Sequence, residues 1–111
     1  MAETIAAGPE SGGLTHRLSL ADTNAVQVNF PAWVRKVTVQ FLDSGGSAAE
    51  GKVLRGQTQS DGAAMSSHAF PIPAGVGWEL VLSPGISRQL SGCSIYVSGP
   101  ASGFAHLDME L

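Results

Sequence analysis

A chain of 111 residues with 43% apolar and only 14% charged residues suffices for one continuous core and not two, and it carries far less charge than the roughly 25% usual in a soluble domain. The formal charge of -3, with six basic residues (Arg17, Arg35, Lys36, Lys52, Arg55 and Arg88) scattered through the sequence, excludes the cationic stripe that holds a phosphate backbone. The single cysteine, Cys93, excludes an intrachain disulfide framework.

Met1 to Gly13 reads as a flexible N-terminal arm, small and polar apart from Ile5 and ending in Gly8-Pro9-Glu10-Ser11-Gly12-Gly13. It has neither the basic start nor the apolar run of a signal peptide, and no stretch of the chain approaches the roughly 18 continuous apolar residues of a membrane helix. The expectation is therefore synthesis and folding in a cytoplasm, with no membrane partner. Ile5 and Pro9 are the arm's candidate partner contacts.

From Leu14 the pattern changes to a period of two. Leu14, His16, Leu18 and Leu20 share one face and Thr15, Arg17 and Ser19 the other, as in a half-buried strand. Asp22-Thr23-Asn24 supplies a turn. Val26, Val28 and Phe30 alternate with Gln27 and Asn29 until Pro31, which offers no amide to a ladder. Val34 to Leu42 is rich in β-branched residues, with Val37, Val39 and Phe41 on the face predicted to be core. Asp43 to Ser47 reads as a loop, with a single helical turn conceivable near Gly46 to Gly51, and Gly51 to Gly56 as a short strand. Gln57 to Ser67 is polar and aperiodic and contains the turn-forming pair Asp61-Gly62. His68-Ala69-Phe70 leads into the Pro71-Ile72-Pro73-Ala74-Gly75 bend. Trp78, Leu80 and Leu82 then alternate with polar or smaller partners up to Pro84-Gly85. Cys93, Ile95 and Val97 face away from Ser94, Tyr96 and Ser98, and Ala105, Leu107, Met109 and Leu111 face away from Phe104, His106, Asp108 and Glu110. Seven or eight strands at such spacing predict an all-β, single-domain antiparallel β-sandwich of jelly-roll type over residues 14–111, preceded by the arm over 1–13.

The residues give no catalytic constellation. Gly99-Pro100-Ala101-Ser102-Gly103 has its glycines out of register for a nucleophile elbow, and Gly12-Gly13 and Gly45-Gly46 lack the lysine and helix of a phosphate loop. His16, His68 and His106 fall in separate segments without metal-ligand spacing, and Asp108 with Glu110 reads as a solvated face. Cys93, between Gly92 and Ser94, reads as a small buried hydrophobe. Trp78 is in phase with the core, whereas Trp33, at the bend after Pro31-Ala32, is a candidate for exposure. With Tyr96 it completes the candidate partner-binding residues Ile5, Pro9, Trp33 and Tyr96. No enzyme, cofactor or metal is expected.

The segment Asn29-Phe30-Pro31-Ala32-Trp33-Val34-Arg35-Lys36-Val37-Thr38-Val39-Gln40-Phe41 resembles a pattern in small β-rich virion proteins of tailed bacteriophages, in which an apolar-Pro-x-aromatic-Val-basic-basic bend leads into a β-branched strand and a Ser/Gly loop. Asp43 to Ser47 supplies the loop, and the resemblance covers about a third of the chain. It implies a structural protein of the virion, assembled in the host bacterial cytoplasm. Its expected role is that of a capsid decoration or cement protein, binding the major capsid protein and further copies of itself as a homo-oligomer. A tail, adaptor or fibre-associated protein is the nearer alternative. A carbohydrate-binding module, with Trp33, Trp78 or Tyr96 on an exposed ledge, is the more distant one.

Overall fold

The computed structural model describes residues 2–6, 8, 11–31, 33–55, 58–81 and 94–111. Ten strands run in the order β1 (Glu3–Thr4), β2 (Gly13–Ser19), β3 (Val26–Asn29), β4 (Lys36–Leu42), β5 (Ala48–Ala49), β6 (Gly51–Arg55), β7 (Phe70–Ile72), β8 (Trp78–Val81), β9 (Ser94–Ser98) and β10 (Phe104–Glu110). No helix occurs among the described residues. The chain is all-β, and its strands divide between two sheets.

One sheet has the order β1-β3-β9-β6-β7 and the other β2-β10-β4-β5, with β8 pairing beside β5 on the same edge of β4. All pairings are antiparallel except β1 with β3. Every second residue of β4 and β10 faces inward: Val37, Val39 and Phe41, and Ala105, Leu107 and Met109, are all buried. Val28, Val53, Ile95 and Val97 of the first sheet join them in one apolar cluster with Leu18, Leu20 and Leu80 of the second sheet and its flanks. The sequence alternation therefore reports burial directly.

Two glycines shape the contact between the sheets. A side chain on Gly51 would strike the Phe41 ring, and one on Gly99 would lie 2.8 Å from Leu20 and 2.9 Å from Phe41. Both are bare because the ring fills the space a Cβ needs.

Two expectations change. Residues 1–13 are not wholly a detached arm: β1 pairs in parallel with β3, Ile5 donates its amide to Asn29 O at 3.0 Å, and the Ile5 side chain is 4% exposed within the core cluster. The physical reason is the Ile5 side chain, whose burial contributes about 2 kcal/mol and holds the neighbouring backbone. The helical turn near Gly46 to Gly51 is absent. Asp43 instead closes a hairpin loop, its Oδ1 accepting from Gly45 N and Ser47 N at 2.9 Å each, with left-handed Gly46 returning the chain into β5.

Candidate functional site

The described segment that begins at Thr58 lies against β3, which β9 separates from β6 in the sheet. Asp61 Oδ1 accepts from Gln27 N at 2.8 Å, Gly62 N donates to Ala25 O at 2.7 Å, and Ala25 N donates to Ala63 O at 2.8 Å. That charged hydrogen bond from Gln27 holds the Asp61 carboxyl below the ordinary aspartate range. Because the inner side of the sheet is filled by core, this segment lies over its outer side. Leu54, opposite Tyr96, is likewise buried on this outer side and stands outside the core cluster.

Where this segment meets the end of the sheet it leaves an open groove of about 540 Å³. Met65 and Ala64 form one wall and Pro71, Ile72 and Pro73 another, while Thr23, Asn24, Glu50, Lys52 and Ser98 supply polar groups. The lining is more apolar than polar, with Glu50 and Lys52 as its charged groups.

The stretch of chain that supplies Pro71, Ile72 and Pro73 to the groove also carries exposed apolar residues. Phe70 is 60% exposed on edge strand β7, Val76 is 45% exposed, and Val81 at the end of β8 is 54% exposed. Pro73, Ala74, Gly75 and Val76 form a turn closed by Val76 N donating to Pro73 O at 3.2 Å, with Gly75 at φ 81°, which lifts Val76 clear of the sheet. Three of the four large apolar side chains most exposed among the described residues thus fall within twelve residues of chain that link the edges of the two sheets. Phe70 shares the face of Val53 and Ile72 and Val81 the outward face of Lys36 and Glu79, so the three expose apolar surface along the two sheet edges and not as one patch.

The predicted contact residues do not converge. Ile5 is core; Pro9 lies outside the described residues, as do Leu82, Pro84-Gly85 and Cys93. Trp33 and Trp78 are half-buried and pack against the core cluster, so neither stands out as a stacking ledge. Tyr96 is half-buried on the outer side of its sheet between Gln27 and Leu54. The groove residues and exposed Phe70 were missed because their signal is weak in isolation. Phe70 flanked by Pro71 and Pro73 reads as an edge strand only once those prolines are seen to need no ladder partner.

The titratable groups are dispersed. His16 faces inward on β2 and meets Glu3 Oε2 at 2.7 Å, joining the outermost strands of the two sheets. His106 faces outward on β10 between Arg17 and Gln40, its Nε2 buried with no hydrogen-bond partner. His68 is exposed in the loop before β7. Lys36 bridges Glu110 at 3.2 Å and Glu79 at 3.5 Å; its hydrogen bond to Glu110 and the two negative charges raise its pKa. Among the described residues no group of three or more His, Cys, Asp or Glu is placed to hold a metal ion, and no helix is long and apolar enough to cross a membrane.

No protein-family model, curated protein or solved structure matches the chain.

Proposed function

We propose that the protein is a non-enzymatic structural component of a bacteriophage virion, a capsid decoration or cement protein that binds the major capsid protein. The observation that carries this reading is the Met65-Pro71-Pro73 groove, with Phe70, Val76 and Val81 exposed along the adjoining chain, in a sequence with only 14% charged residues. Such a surface gains by being covered: removing a side chain of this size from water contributes about 1.5–3 kcal/mol, and a low charge density adds little repulsion. The resemblance of Asn29 to Phe41 to phage virion proteins supplies the class of partner.

The strand order supports a jelly-roll sandwich as the architecture. With the two-residue β1 and β5 set aside, the sheets run β2-β10-β4-β8 and β3-β9-β6-β7, the arrangement obtained when a long antiparallel ribbon folds over itself into two facing sheets. Edges and end loops then remain free for neighbours. Trp33 and Trp78, both packed against the core, do not favour the carbohydrate-binding alternative.

The test is incorporation into particles of a Phe70→Ser, Val76→Ser double variant, with circular dichroism as the folding control. A folded variant with reduced copy number per particle supports the reading. A folded variant incorporated at the native level contradicts it.

A further inference from the structure

The sheet edges differ in how they are guarded. β1 is two residues long, β7 contains Pro71 and is followed by Pro73, and the far edge of β4 is shared by the short β5 and β8. β2 is different. It has seven residues, none of them proline, and pairs only with β10 among the described residues. Native proteins ordinarily blunt an edge of this length.

The hydrogen bonds flanking the β2–β10 ladder fix which groups point outward. Leu111 N donates to Gly12 O and Leu20 N donates to Gly103 O, both at 2.9 Å, so the even-numbered residues of this segment are those bonded to β10. Thr15, Arg17 and Ser19 therefore aim their amides and carbonyls at the open edge. The charge that would guard that edge is drawn back: the Arg17 guanidinium lies 3.5 Å from the centroid of the Phe104 ring on β10.

We infer that β2 pairs with β2 of a second copy of this chain, antiparallel about a two-fold axis at His16, joining two sheets into one. Bonded pairs across the axis must be odd with odd, which leaves few registers. Centring on Arg17 sets two guanidinium groups directly opposite each other, a destabilising arrangement. Centring on Thr15 opposes Arg17 to Gly13, where the chain leaves the strand through left-handed Ser11 and Gly12. Centring on His16 puts Arg17 of each copy opposite Thr15 of the other. The Thr15 hydroxyl donates to Asp108 Oδ1 at 3.4 Å, so an Arg17 that swings off its own Phe104 ring on pairing turns toward a carboxylate of the other copy, and the contact is self-complementary as a two-fold interface must be. It requires no virion partner, so its failure and that of the assembly reading are separate results.

The experiment is sedimentation velocity of the purified chain over a concentration series. The native chain is expected to show a monomer–dimer equilibrium. Thr15→Pro removes an amide that the intrachain ladder does not use, and should abolish the dimer with the fold intact. Thr15→Lys places like charge opposite Arg17 and should weaken dimerisation about fivefold, whereas Thr15→Glu should strengthen it by a similar factor, since two such cross-strand pairs form per dimer. This opposite response keeps the test decisive if Thr15→Pro does not fold. A native chain that is monomeric up to its solubility limit, or a dimer unchanged by all the Thr15 variants that fold, overturns the inference.

Discussion

Replacing Gly51 with Ala probes the contact between the two sheets at its tightest point. A Cβ built at Gly51 would lie 2.2 to 2.4 Å from three atoms of the Phe41 ring. The ring cannot retreat, because Phe41 is fully buried and the Gly99 backbone closes its other edge. Gly51 has no left-handed φ, so alanine meets no backbone strain and gains about 0.4–1 kcal/mol from a stiffer unfolded chain. Overpacking costs about 1–3 kcal/mol, and contacts this short with a ring that cannot retreat put it at about 2–3, leaving a net destabilisation of about 1–2.5 kcal/mol. For a domain of this size that lowers Tm by roughly 5–10 °C. Phe41→Leu makes room at a cost of its own, so the two substitutions together should be less harmful than their sum by about 1 kcal/mol in a double-mutant cycle measured by urea unfolding. Native-like stability for Gly51→Ala, or strict additivity with Phe41→Leu, would refute this packing of β6 against β4.

Three further outcomes follow from the same geometry. Val39→Asp places an unpaired carboxylate at a position with no solvent exposure and should cost more than about 4 kcal/mol, read as loss of the cooperative unfolding transition. Ile5→Ala should cost about 2 kcal/mol or more and speed hydrogen exchange of the Ile5 amide, which is bonded to Asn29; native protection would mean that the N-terminal strand does not dock. Asp61→Asn keeps an acceptor for Gln27 N but loses its charge, and should cost about 1 kcal/mol near neutral pH. Because the folded state lowers the Asp61 pKa, its contribution is complete above the ordinary aspartate range and is lost as pH falls through the folded value. The gap between native and variant stabilities, followed by denaturation at several pH values, should therefore close in acid.

The strands were legible because burial on one side of a sheet imposes a period of two. Leu18 and Leu20, Val37 to Phe41 and Ala105 to Met109 alternate in sequence and are alternately buried in space. Turn chemistry was equally local: Asp22 accepts the Asn24 amide, and Asp61-Gly62 makes a turn with Gly62 in the left-handed region. The docking of Ile5 was not legible, since a lone apolar residue in a polar segment has no period and its site on β3 is made by residues more than twenty positions away. The groove was hidden for a related reason. Met65, Pro71 and Lys52 come together only when the segment that begins at Thr58 lies against the sheet, and an aperiodic stretch does not say what it covers.

The claim that this chain acts by being covered by other proteins is tested most directly by a density map of the assembled particle. The account predicts the chain seated on the capsid shell with Phe70, Val76 and the Met65-Pro71-Pro73 groove against a neighbouring protein. A map in which those residues face solvent, or particles that lack the chain altogether, would contradict it.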